Sequence, residues 1–471
     1  MPDPFTRLET LLGPGRVHRA PLEPRANVGM FRTRDLAGLI RPGDVDGVRA
    51  TVRAFAGHHP LHAVSTGRNW GLGSREPAAD GAVLLDLSGL DRVRALDTAA
   101  GWAVIEPGVT QLRLAGLLTG TGRVLNVTAS SGHTSVLGNA VDRGVGLRRQ
   151  RTADLAGLEA VLADGTLARF GWWPGERPTV PYPHGLGPSP LHLFTQSSLG
   201  VVTAAAITLA PRPEAQRVLR IAFARGDLAK AVDELRRWTA QGLVSGVLKI
   251  YDTVSTRSYG GRQGDYLALV CVEGTSRAVE ALTGVLLAEA ADSGLFGAIT
   301  RSDTDPAAPD DAVLRVVEAA YAGDPSRNEE MLRSAVGQPA DRVDSDGGGW
   351  LFFLPLIPFT GHDVAAAQDL LDVIHTRTGV RAGCTVNALD ADVVDFVVSI
   401  RFPREEAAAA HAALDLAHEL FDGAGYRPYR LDADHAAWID RAAPDPAALA
   451  FVRGLKRFAD PAGVFAPGRY A

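Results

Sequence analysis

Ser65-Thr66-Gly67-Arg68-Asn69-Trp70-Gly71-Leu72-Gly73-Ser74 is the stretch of this chain whose residue types most directly suggest chemistry. It sits between two short apolar runs, 61–64 and 83–87. A strand, a glycine-rich turn and a second strand gather several backbone N–H groups into one concavity. Such a nest attracts phosphate oxygens, because glycine permits close approach and positive φ. The turn leads to a strand rather than a helix, which excludes the dinucleotide fingerprint of strand, G-x-G-x-x-G and helix. His58, His59 and His62 stand just upstream in a metal-like grouping, but no carboxylate or cysteine partners them, and they read as a surface turn. Cys271 and Cys384 give neither a disulfide framework nor a metal spacing.

The elements that must position such a nest have ample material. The chain has 471 residues, 46% hydrophobic and 22% charged, enough for at least two cores. A net charge of −6 argues against a general nucleic-acid surface. Basic charge is almost all arginine, with only three lysines, Lys230, Lys249 and Lys456. No run approaches the length of a membrane span, and the first residues lack the apolar core of a signal peptide. The expectation is a cytoplasmic protein with no membrane or nucleic-acid partner and no bound metal.

In the first half, strand-like segments recur at 83–87, 93–97, 102–106, 158–162, 167–170 and 201–209, with the Asp164-Gly165 hairpin signal between two of them. Past Glu214 long Ala/Leu-rich helical patterns appear at 227–241, 276–292, 363–377 and 404–423. Strand-like runs at 246–251, 266–272, 350–357 and 393–402 lie between them. That alternation predicts an α+β unit with helices on one side of an antiparallel sheet. The polar stretch 302–345 reads as loops with short helices.

Four further segments keep company with the first turn. They are Glu106-Pro107-Gly108-Val109-Thr110, the long Gly132-His133-Thr134-Ser135 to Gly144-Val145-Gly146 stretch, Leu193 to Thr203 with Gly200-Val201-Val202, and the tail Asp460 to Tyr470. Together the five resemble the vanillyl-alcohol oxidase / p-cresol methylhydroxylase flavoprotein superfamily. The resemblance implies an α+β FAD-binding domain of the p-cresol methylhydroxylase type, in two subdomains, with an α+β cap domain whose antiparallel sheet covers the flavin. The corresponding division is 1–212 for the FAD-binding domain, 213–425 for the cap, and 426–471 for a segment returning to the first domain.

On that resemblance FAD contacts Ser65, Thr66, Gly67, Arg68, Asn69, Trp70, Gly71, Pro107, Gly108, Ser130, Thr134, Ser135, Gly138, Asn139, Gly144, Gly200, Val201, Val202 and Arg469. His133 would sit beside the flavin in a supporting role. Relatives that tether the flavin do so just before a Phe-Phe-x-Pro-like strand. Trp350 stands there, and the two loops that carry anchors in berberine-type enzymes contain neither histidine nor cysteine at those places. Non-covalent FAD is therefore expected.

Tyr429-Arg430 is similar to the pair that holds substrate as a phenolate in the phenol-oxidising branch; arginine suits an oxyanion because it stays charged and directional. Two other roles are equally open to the pair: bracing a domain junction, or binding a carboxylate. The branch's acidic residue before the second flavin loop is missing, since Ser130 or Ala129 stands there. Asp432, Asp434 and His435 are the replacements within reach in sequence, and Lys249, Tyr251, Phe352 and Asn387 are the cap positions expected to face substrate. The implied activity is hydride transfer from a small aromatic or alcohol-bearing molecule to flavin, with oxygen or another acceptor, suited to secondary-metabolism tailoring. Oxidation of a 2-hydroxy acid through Arg430, and a non-redox cyclase or isomerase using FAD structurally, are the alternatives. A homodimer is a possible assembly.

Overall fold

The computed structural model describes residues 3–23, 25–176, 179–256, 265–303, 312–443, 445–466 and 470. Among them, three sheets account for nearly all strands, and the first holds the nest. It orders Val17–Arg19, Leu36–Ile40, Ala82–Asp86 and Leu61–Val64, the last three mutually parallel. The crossover between Leu36–Ile40 and Leu61–Val64 is the helix Val45–Phe55, capped by Asp44, whose side chain accepts from Gly47 N. Val48, Val52 and Phe55 on this helix are fully buried against Val83 and Leu85. The nest therefore emerges from the carboxyl end of a parallel strand, where backbone N–H groups are left for a ligand.

The second sheet is antiparallel, ordered Val93–Asp97, Trp102–Ile105, Val201–Thr208, Leu155–Val161 and Leu167–Gly171. Leu155–Val161 is buried at every residue, as a central strand covered on both faces must be. Its hairpin with Leu167–Gly171 closes through Gly165, which takes φ +79°, as the Asp-Gly signal requires.

From residue 215 the chain builds a nine-stranded antiparallel sheet. Helices Leu228–Ala240, Ser276–Ser293, Gly361–Thr378 and Ala407–Gly423 bury their apolar stripes against one face. The other face turns toward the first half: Tyr251, Leu267, Leu269 and Cys271 share a core with Leu158, Ala205 and Ile207. Four strands of this sheet have no counterpart in the sequence reading: Ala215–Ala224, Ile299–Arg301, Gly383–Ala388 and Arg427–Pro428. The helix Ala312–Tyr321 packs on the face opposite the four long helices, so helices cover both sides of this sheet rather than one.

After Arg427–Pro428 pairs with Pro355–Pro358, the chain runs back to the first sheet. Leu61 N donates to Val464 O at 2.7 Å, and Ala466 N donates to Leu61 O at 2.8 Å. The buried Asp460 carboxylate holds this return by accepting from Val464 N, Phe465 N and Lys456 Nζ at 2.8, 2.9 and 2.7 Å. Asp460→Ala leaves these three donors without their shared acceptor and a half-buried ammonium without its counter-charge, a loss of about 3–5 kcal/mol. Urea unfolding followed by tryptophan fluorescence is expected to show that loss; a midpoint shift below a tenth of the wild-type value would contradict it.

Candidate active site

Three loops of the first half are laced together by short hydrogen bonds. Ser135 N donates to Thr66 Oγ1 at 3.1 Å, and Ser135 Oγ donates to Pro107 O at 2.6 Å. The same Ser135 Oγ accepts from Gly138 N at 2.8 Å, capping a one-and-a-half-turn helix, Val136–Val141. The stretch 134–144 is thus part helix rather than a plain loop. Gly67 takes φ +68°, and a Cβ on Gly138 would lie 2.3 Å from Ser65 Oγ. Position 138 calls for glycine because the Ser65 and Ser135 side chains already fill the space a methyl would take.

These loops and the inner face of the cap enclose a cavity of about 410 Å³. It is lined by Ser65, Thr66, Gly67, Arg68, Asn69, Pro107, Ser130, Thr134, Ser135, Gly138, Asn139, Gly200, Val201 and Val202 from the first half. Lys249, Phe352, Leu354, Asn387, Asp395, Val397, Tyr429 and Arg430 line it from the other side.

Asp142, at the end of the short helix, ties four parts of the chain at one carboxylate. Its Oδ2 accepts from Asn69 Nδ2 at 2.8 Å and from Arg430 at 2.5 Å, and its Oδ1 accepts from Tyr470 OH at 3.1 Å. Burial disfavours the Arg430 charge, but the adjacent Asp142 more than offsets this, so the guanidinium is held charged. Gln196, in the left-handed region at φ 49°, donates from Nε2 to Tyr429 O at 2.8 Å. A non-glycine residue held there stores local strain, which the surrounding loops must impose.

Across the cap sheet, Lys249 stands opposite Asn387, and Asn387 opposite Asp395. Directly opposed residues in antiparallel strands share a face, so the register lays a polar row across three strands. Lys249 Nζ donates to Asn387 Oδ1, Asn387 Nδ2 donates to Asp395 Oδ2 at 3.3 Å, and Tyr429 OH donates to the same oxygen at 3.4 Å. Burial pushes Asp395 up to about 6 despite the Asn387 hydrogen bond and the Lys249 charge. Burial likewise pulls Lys249 down to about 8, against the attraction of Asp395. It also raises the Tyr429 phenol well above its ordinary range, with Asp395 adding to the effect.

The first-half residues fit a large phosphate-bearing cofactor. Asn139 Oδ1, Ser197 Oγ and Ser198 Oγ are buried without a hydrogen-bond partner, although all three residues line the cavity. Buried polar atoms are ordinarily satisfied, and FAD would supply partners there while the 65–74 nest held its diphosphate. A family profile described as an FAD binding domain matches residues 36–171. The chain is 30% identical to 1'-carboxy-chondrochloren decarboxylase of Chondromyces crocatus, over 93% of this chain and 91% of that protein. It is 26% identical to the 4-cresol dehydrogenase (hydroxylating) flavoprotein subunit of Pseudomonas putida, over 90% of this chain and 86% of that one. The 4-ethylphenol oxidase of Gulosibacter chungangensis superposes with a TM-score of 0.87 at 21% identity, covering 99% of this chain and 96% of that chain. The chain belongs to the p-cresol methylhydroxylase / vanillyl-alcohol oxidase family of flavoproteins.

Several expected residues of this flavoprotein lie elsewhere. His133 is exposed and outside the cavity, because Ser131 Oγ and Gly132 N both donate to Glu329 and turn the loop outward. Gly71, Gly108 and Gly144 stand one layer behind the lining. An added Cβ would lie 2.0 Å from Phe352, 2.2 Å from Ser88 O and 2.2 Å from Asn139 Oδ1, respectively. Trp70 points into a small apolar cluster and donates its indole N–H to Asp344 Oδ2 at 3.2 Å. Arg469 falls outside the described residues.

None of the three replacements for the missing acid reaches the cavity. Asp432 bridges His418 and His435, whose rings stack 3.9 Å apart beneath the helix Ala407–Gly423, and Asp434 pairs with Arg34. Parallel rings cannot aim both nitrogen lone pairs at one ion, so the trio reads as a hydrogen-bonded brace. Tyr251 belongs to the core between sheets, and Trp350 donates to Ser399 Oγ at 2.8 Å outside the lining. His62, read as part of a surface turn, lines the cavity with Nε2 3.2 Å from Ser74 O.

Asp142 and Asp395 escaped the sequence reading. Asp395 alone left a signal, as a single charge in the otherwise apolar run 393–398.

Gly138→Ala is expected to lower the FAD-to-protein ratio at least tenfold, read from the 450 nm to 280 nm absorbance of purified protein. Gly116→Ala, on an exposed helix position with nothing within 4 Å of the added Cβ, is the control and should leave that ratio unchanged.

Proposed function

We propose that this flavoprotein is an FAD-dependent oxidoreductase acting on a small substrate with a hydroxyl on or near an aromatic ring, as in a tailoring step of secondary metabolism. The single observation that carries the reading is the convergence of Tyr429, Arg430, Asp395, Asn387 and Lys249 on the cavity that the cofactor loops also line. When bound, FAD supplies the two-electron acceptor, and oxygen or another oxidant restores it. The chain's own residues orient the substrate: Tyr429 and Arg430 offer donors to its oxygen, while Phe352, Leu354 and Val397 exclude water beside them. Relatives named for 4-cresol and 4-ethylphenol add support for a 4-alkylphenol skeleton.

Oxidation of a 2-hydroxy acid through Arg430 is disfavoured because Asp142 already neutralises that guanidinium. A second reading has better support, in which the substrate also carries a carboxylate that is lost as CO2. The decarboxylase relative and the buried Lys249 ammonium both favour it.

Anaerobic addition of a 4-alkylphenol panel is expected to bleach the flavin absorbance within a turnover. No bleaching by any phenol, alcohol or carboxylated phenol would instead favour a non-redox role. Release of CO2 during bleaching would select the second reading. The attachment is proposed to be non-covalent: neither cysteine lines the cavity and Trp350 faces away. Acid denaturation should leave yellow colour in the supernatant; colour in the pellet would reverse this. Arg430→Ala should cut kcat/KM for phenols at least a hundredfold, equivalent to about 2.7 kcal/mol.

A further inference from the structure

Lys249 and Asp395 are both buried in the cavity wall, yet they do not meet; Asn387 stands between them. A purely structural ion pair would close directly and satisfy both groups. Here each keeps unused capacity. Among the described residues, the Lys249 ammonium makes one hydrogen bond, to Asn387 Oδ1, and has two N–H groups left. Asp395 Oδ2 accepts from Asn387 and Tyr429, while Asp395 Oδ1 is buried with no partner. A spare cationic donor and a spare anionic acceptor in the lining of one cavity match a group that can accept and donate at a single oxygen, a hydroxyl.

We infer that Asp395 is the catalytic base that ionises the substrate hydroxyl, with Lys249 as the counter-charge for the oxyanion formed. This rests on the hydroxyaryl reading above. The O–H bond breaks, its proton passes to Asp395 Oδ1, and the bonding pair stays on the substrate oxygen facing Lys249, Tyr429 and Arg430. The step is a proton transfer only and needs no co-reactant. Asp142 already occupies Arg430, so without Lys249 the new charge would meet one shared guanidinium and a neutral phenol. Asp395 must start ionised and Lys249 protonated, and their values of about 6 and about 8 leave both so near neutral pH.

The test uses the FAD-loaded protein and 4-nitrophenol, whose ionised form has its own visible band. At a pH where the free ligand is mostly neutral, wild-type difference spectra should show it bound as the phenolate. Titration calorimetry in two buffers of unlike ionisation enthalpy should show no net proton release, because Asp395 takes the proton. Asp395→Asn should lower the ionised fraction at least tenfold, and Lys249→Met should lower it in the same direction. Ionised ligand with one proton released to buffer would overturn the proposal, as would neutral ligand in the wild type or an undiminished band in Asp395→Asn. The calorimetry decides on wild type alone if the variants do not fold. No binding of 4-nitrophenol at all would bring down the hydroxyaryl reading itself, and the base with it.

Discussion

One carboxylate, Asp142, is the point on which the arrangement of the cavity depends. Asn69 comes from the nest, Arg430 from the strand end leaving the cap sheet, and Tyr470 from the last residues of the chain. No two of these are near in sequence, and each gives its donor to the same group. A charge so placed is costly unless every partner arrives, so the knot selects the one arrangement in which nest, cap and tail surround the same space. Arg430 pays a double part in it, as brace and as cavity wall. The bracing role that the sequence left open for Tyr429-Arg430 is therefore compatible with a place in the cavity wall: the guanidinium braces a junction while Tyr429, joined to Asp395, lines the cavity.

The cap contributes through register rather than through loops. A slip of one residue in the pairing of Gly383–Ala388 with its neighbours would turn Asn387 away from the cavity and break the row from Lys249 to Asp395. That register is enforced from the opposite face, where Val386, Phe396 and Val398 are buried under the long helices. The apolar core behind the sheet thus sets the spacing of the polar groups in front of it. On the wall facing the nest, charge is nearly balanced: Lys249 against Asp395, and Arg430 against Asp142.

Much of this was legible in the chain, and the reason is locality. Gly67 is demanded by its own positive φ, so its turn is advertised locally, whereas Gly138 and Gly200 are demanded by Ser65 and Val161 from other segments and were legible only through the resemblance. Long helices such as Gly361–Thr378 and Ala407–Gly423 announce themselves by long Ala/Leu-rich runs. His133 misled because a motif gives neighbours along the chain and not the direction in which a loop turns; Glu329, nearly two hundred residues away, decides that. Lys249 and Asn387 could be named from strand position, but the row needs a register that brings Lys249 to Asn387 from 138 residues away, although Asn387 and Asp395 are eight apart in one hairpin. Asp142 sat inside a recognised segment and was passed over, because Asn69, Arg430 and Tyr470 reach it only in the finished fold.

The most direct measurement is the FAD dissociation constant of Asp142→Ala against wild type, by quenching of flavin fluorescence on titration into cofactor-stripped protein. If one carboxylate gathers nest, cap and Tyr470 around the cofactor, affinity falls at least tenfold. Wild-type affinity would contradict the account.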